Sequence, residues 1–129
     1  MKLIDRKLLV VFPLLFSGTI ALAAFYEGDA AAGKAIYDGK GACAACHGAT
    51  GEGDGVAAAG LNPKPASFAT ASFKLDGDGD GKMGTIADIA NVIKNGAAKY
   101  GGAATMPPRP DLSDKEISDM AAYILSLKK

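Results

Sequence analysis

The chain has 129 residues, 49% of them hydrophobic, no formal net charge and two cysteines. That length admits one domain plus a targeting segment; balanced charge excludes a basic face for nucleic-acid phosphates, and two cysteines cannot frame a small disulfide scaffold. Leu, Ile, Val and Phe number 12 in residues 1–23 but only 16 in the 106 residues that follow, where 23 alanines fill the hydrophobic count. The later chain is therefore short of core material, because alanine buries little area, and something beyond its own side chains has to supply the rest.

The first segment reads as an export signal. Lys2, Arg6 and Lys7 form a basic start, Leu8 to Phe16 is an unbroken apolar run, and Ala21-Leu22-Ala23 is a small-x-small cleavage pattern. This order is the secretory layout, with cleavage after Ala23. The competing reading, a membrane anchor, has 17 residues from Leu8 to Ala24, at the short limit for spanning. The expected division is a signal over 1–23 and one domain over 24–129. Cleavage leaves 11 basic and 13 acidic residues in an oxidising compartment.

Downstream the pattern is helical, with no alternating strand. A first helix is expected from near Asp29 through Ile36 and Tyr37, with Gly33 inside it at a cost of about 1 kcal/mol relative to Ala, which asks for a packing reason. Cys43-Ala44-Ala45-Cys46-His47 then places both cysteines and the single histidine within five residues. This is the C-x-x-C-H haem-attachment pattern: two thiols add to the vinyl groups on one haem edge, and the adjacent imidazole reaches the iron. A thioredoxin-like motif would need a parallel α/β pattern, and zinc would need a fourth ligand; both are missing. A plain disulfide would leave His47 without a role.

Gly48 to Ala71 reads as a long irregular stretch, with Gly51, Gly53 and Gly55 followed by Pro63-Lys64-Pro65. The glycines do not make a phosphate loop, because no strand precedes them and no Gly-Lys-Ser follows. Asp76, Asp78 and Asp80, with Gly81, copy the first half of a calcium loop, but its twelfth position holds Ala87, and Asp88 falls one residue late. A solvated acidic turn competes with weak calcium binding there. A second helix is expected from Thr85, with Ile86, Ile89, Ala90 and Ile93 on one face and a stop at Asn95-Gly96. Gly96 to Pro110 is again irregular and contains Met106-Pro107-Pro108-Arg109-Pro110. The last helix opens with a Ser113/Glu116 capping box and a Leu112/Ile117 staple. Its stripe includes Ile117, Met120, Ala121 and Ile124, and Lys128 and Lys129 are expected to complement its C-terminal dipole.

From Asp29 to Lys129 these features resemble a class I c-type cytochrome, of the monohaem, His/Met-ligated, exported bacterial type. The matching order is a helix with Gly33 and Tyr37, the motif at Cys43, Cys46 and His47, a Gly/Pro loop, Met106 in a proline-rich loop, and a final helix with Tyr123. The resemblance implies an all-α cytochrome c fold, three or more helices and long loops wrapped around one covalent haem c, with the terminal helices crossing closely at glycine. His47 would be one axial ligand. For the other, Met120 sits in a core stripe and Met83 beside the helix start is a poorer candidate. Met106, 59 residues after His47, is favoured because rigid prolines hold its loop without competing donors. The resemblance also implies a carbonyl around Pro63 or Pro65 accepting from the His47 ring. Arg109, the one arginine after the signal, reads as exposed, with a haem propionate as the competing partner.

The function so implied is a periplasmic one-electron carrier rather than an enzyme, cycling Fe(III)/Fe(II) and docking transiently with redox proteins at the haem edge. It predicts no nucleic-acid partner and no stable membrane insertion after cleavage. Two alternatives stand beside it: a haem subunit of a larger dehydrogenase or oxidase complex, and a gas- or peroxide-reactive haem protein.

Overall fold

The computed structural model describes residues 27–129. The expected signal over 1–23 lies outside the described residues. Four helices follow in chain order: α1 (Ala30–Asp38), α2 (Ala44–His47), α3 (Ile86–Asn95) and α4 (Asp114–Ser126). Two short 3₁₀ turns, Ala58–Gly60 and Ala97–Tyr100, punctuate the stretches expected to be irregular. No strand occurs among the described residues, so the all-α expectation holds.

Each helix starts where a side chain can satisfy its first free N–H groups. The Asp29 carboxylate accepts from the N–H groups of Ala31 and Ala32 at 2.8 and 3.2 Å. Both α3 and α4 have complete capping boxes, Thr85 with Asp88 and Ser113 with Glu116. Burial alone would raise the Asp88 carboxyl, which is 1% exposed. Hydrogen bonds from the Thr85 N–H and hydroxyl and from the Gly77 N–H outweigh that and hold it below the usual carboxylate range.

The ends of α4 differ from expectation at one side. The helix stops at Ser126, so Lys128 and Lys129 do not sit in its last turn. The chain instead turns away to pair with the loop after α2: the Lys129 N–H donates to the Ala69 carbonyl at 3.0 Å, and its Nζ to Glu52 at 2.7 Å.

The core is a single cluster contributed mainly by α1, α3 and α4. Tyr37, Ile89, Ile93, Leu112, Ile117, Met120, Ala121, Tyr123 and Ile124 belong to it, joined by Phe68 from the long loop. The crossing of α1 and α4 is close because Gly33 has no side chain: a Cβ there would lie 1.9 Å from the Asp119 carbonyl oxygen. This is the packing reason that Gly33 lacked in the sequence. One turn along α1, Tyr37 meets Tyr123 edge to face, with ring centroids 5.2 Å apart. Asp119, buried on α4, accepts from the Asp29 N–H at 2.8 Å and pairs with Lys115 at 2.7 Å, tying the start of α1 to the same crossing.

Two stability measurements follow. Gly33→Ala, which would gain about 1 kcal/mol in an isolated helix, is expected instead to lose about 2 kcal/mol or more in denaturant unfolding, because two backbones must separate. Asp88→Asn is expected to cost about 1–2 kcal/mol near neutral pH, because an amide cannot accept from all its present donors. Since the folded carboxyl lies below its unfolded value, its contribution is full above that unfolded value, about 3.9, and fades as pH falls through the folded one. The gap between wild type and Asp88→Asn should therefore narrow in unfolding curves taken from pH 6 down to pH 3.

Candidate functional site

Cys43, Cys46 and His47 share one helical turn. Cys43 is the residue before α2, and α2 runs only from Ala44 to His47. The turn is held by the loop that follows it, which folds back in short bonds: Gly53 N–H to the His47 carbonyl at 2.8 Å, Gly55 N–H to that of Cys46 at 3.1 Å, and Ala57 N–H to that of Ala45 at 2.9 Å. Gly55 is glycine of necessity, since a Cβ would lie 2.2 Å from the Ala45 carbonyl oxygen. The spaced glycines that offered no phosphate loop thus allow three different close approaches: Gly55 to the Ala45 carbonyl, Gly53 to the Pro65 carbonyl, and Gly51 to the side chains of Leu127 and Phe68.

Both cysteines are free thiols and half-buried. Burial pushes the Cys43 thiol up to about 11, against a smaller downward pull from the Arg109 charge. Its sulfur lies 3.4 Å from the Met120 sulfur, so the covalent end of the site rests on α4. His47 is 9% exposed and stacks on Phe68, with centroids 4.4 Å apart. Its Nδ1 lies 3.0 Å from the Ala66 carbonyl oxygen, so the N–H is on Nδ1 and donates there, and the lone pair is on Nε2. Burial lowers the His47 pKa, keeping the ring neutral, the form that binds metal. The acceptor corrects the expectation of Pro63 or Pro65. Pro63 follows a cis peptide bond and is exposed, while the Pro65 carbonyl faces Gly53. The ring reaches the next carbonyl along. No side-chain signal marks a backbone acceptor, which is why sequence reading stopped one residue short.

The methionines separate cleanly. Met120 is fully buried in the core and Met83 is 57% exposed on the surface. Met106 is half-buried and packs against the core cluster. Its loop is fixed to the end of α3, with the Ala97 N–H donating to the Met106 carbonyl at 3.2 Å and the Arg109 N–H to that of Ile93 at 3.0 Å.

Two free thiols and a neutral, oriented imidazole in one turn, with a thioether on a core-facing loop, are the donor set a covalent haem requires. The residues present fit the group.

Arg109 is half-buried rather than exposed. Its side chain is 23% exposed, and it donates to the backbone carbonyls of Gly41 and of Lys40, the latter at 2.8 Å. Its Nε and Nη2 also grip the Asp111 carboxylate at 3.0 and 2.8 Å, holding that carboxyl down to about 2. Tyr37 likewise has a role the sequence did not reveal: its buried hydroxyl donates to the Gly48 carbonyl, next to His47, at 2.7 Å.

Asp76, Asp78 and Asp80 do converge, with carboxylate oxygens within 4.8 Å of one another. They accept from the backbone N–H groups of Gly79, Gly81, Asp80 and Lys82 in their own turn. Asp88 does not join them, because its carboxylate caps α3. Asp76 is half-buried, and Asp78 and Asp80 are exposed.

Comparison with known proteins adds the following. The family model for cytochrome c matches residues 30–128. The chain is 33% identical over 103 residues to cytochrome c-554(547) of Halothiobacillus neapolitanus, covering 78% of this chain and 99% of that protein. It is 35% identical over 100 residues to cytochrome c-554(548) of Halomonas halodenitrificans, covering 77% and 96%. Among solved structures it is similar to a chain of the reducing HAO-like protein complex of Kuenenia stuttgartiensis, with a TM-score of 0.62 and 30% identity. That alignment covers 78% of this chain but 44% of the other, so this chain spans less than half of that solved neighbour.

Proposed function

The chain belongs to the cytochrome c family, and from that premise we propose that it is an exported, periplasmic carrier of single electrons with one haem c ligated by His47 and Met106. The observation that carries the proposal is the His47 ring: with Nδ1–H held by Ala66, its Nε2 is left to bind iron in the same turn as two free thiols. Haem, when bound, supplies an iron that cycles between ferric and ferrous states. Cys43 and Cys46 hold it covalently, and the Ala66 carbonyl fixes the imidazole's tautomer and makes it a stronger donor. Met106 supplies a thioether, which favours ferrous iron relative to a second imidazole and raises the potential. Phe68, stacked on His47, and the core residues behind it keep water from the imidazole.

Partners are proposed to dock transiently where the C-x-x-C-H turn meets solvent. Val56, between Gly55 and Ala57 which bond to that turn, is the exposed apolar side chain there. No helix among the described residues is long and apolar enough to cross a membrane. A second reading, a haem subunit fixed within a larger complex, is favoured by one observation, that the similar solved chain belongs to such an assembly. Co-purification of a stoichiometric partner from the native source would select it.

Visible spectra of the purified protein in both oxidation states are expected to show low-spin c-type haem. In Met106→Ala the far-red methionine–iron absorption of the ferric form should vanish, the potential should fall, and carbon monoxide should bind the reduced protein quickly. Rapid, complete carbon monoxide binding by the reduced wild type would overturn the carrier reading; an unchanged Met106→Ala spectrum would overturn the ligand assignment.

A further inference from the structure

We propose that Arg109 is the positioning residue for the axial methionine, a clamp that sets the span between the covalent edge of the haem site and the loop carrying Met106. The inference rests on the proposal that Met106 ligates the iron. Arg109 stands three residues after Met106, and the residues between are Pro107 and Pro108, whose fixed φ angles transmit a displacement rather than absorb it. On the other side, the guanidinium donates to the carbonyl of Gly41, two residues before Cys43, and to that of Lys40 at 2.8 Å. The receiving turn is itself rigid. The Gly41 N–H donates to the Ile36 carbonyl at 2.7 Å and the Cys43 N–H to that of Tyr37 at 3.0 Å, both on α1.

The chemistry of the side chain suits this task. A guanidinium presents donors in one plane, so the same group can grip two carbonyls and a carboxylate without rearranging. The two contacts to Asp111, at 3.0 and 2.8 Å, fix the plane of the fork. Only 23% of the side chain is exposed, so these charge-assisted bonds are partly shielded from water. Backbone bonds to Ile93 and Ala97 tie the methionine loop to α3, but they do not reach the cysteine side. Arg109 joins the loop to the turn that leads into Cys43. A thioether is a weak iron ligand, so its retention depends on how firmly its loop is held against the covalent edge.

The test measures displacement of Met106 from ferric iron by added imidazole, followed at the far-red methionine–iron absorption. Wild type, Arg109→Gln, Arg109→Lys, Met106→Ala and Asp88→Asn are compared as holoproteins. Arg109→Gln is expected to exchange about tenfold faster than wild type, the loss corresponding to one charged hydrogen bond, with a lowered reduction potential. Arg109→Lys keeps the charge but not the fork and is expected to recover only part of the difference; it carries the measurement if Arg109→Gln does not accumulate. Asp88→Asn lowers stability at the start of α3, away from the cysteine turn and with the clamp intact, and should exchange near the wild-type rate. If the Arg109 variants exchange within about twofold of wild type, or Asp88→Asn accelerates exchange as much as they do, the clamp is refuted and Arg109 is merely structural. If wild type lacks the methionine–iron absorption, or Met106→Ala keeps it, the ligand assignment fails and the clamp falls with it.

Discussion

The close crossing of α1 and α4 at Gly33 is the contact on which the rest of the molecule depends. Backbone meets backbone there, since a Cβ would lie 1.9 Å from the Asp119 carbonyl oxygen. Held at that separation, α1 carries Tyr37 against Tyr123 and aims its hydroxyl at the Gly48 carbonyl, just past His47. The same crossing brings the Met120 sulfur to within 3.4 Å of Cys43. A wider crossing would release both ends of the C-x-x-C-H turn at once. The precision of the site therefore begins at a position that offers it no chemistry.

The sparse core has a consistent explanation in this arrangement. Large aliphatic and aromatic residues after residue 23 are few, and they are concentrated where α1, α3 and α4 meet. Elsewhere glycine and alanine let backbone segments lie directly on one another, as the Gly53–Ala57 stretch lies on α2. Such contacts satisfy polar groups but bury little apolar area. A covalent haem supplies what these segments lack, a large apolar body against which small residues can pack.

The fold was legible in the sequence wherever the signal was local. Capping boxes at Thr85 and Ser113, the stop at Gly96 and the spacing of Ile89, Ile93, Ile117 and Ile124 all state their own geometry, because helix ends and helix faces are set by residues within a few positions of one another. The candidate site was legible to the same extent: the motif names its own thiols and imidazole. Reading failed where a partner is distant or is backbone. Lys128 and Lys129 looked like helix-dipole partners, yet Lys129 reaches Ala69 and Glu52 on a loop far back in the chain. Asp88 was placed only by its offset from the acidic turn, yet it caps the first turn of α3 and also accepts from the distant Gly77 N–H.

The sequence by itself determined the class of chemistry and the helical framework, since C-x-x-C-H and the capped amphipathic helices are patterns of short range. Only the tertiary structure decided that Ala66 orients His47, that Met106 alone of its candidates faces the core from a loop, and that Arg109 joins the loop to the cysteine turn. Each of these contacts joins residues distant in sequence, and the first and third end on a peptide carbonyl. Every residue carries such a group, so no choice of side chain can announce it.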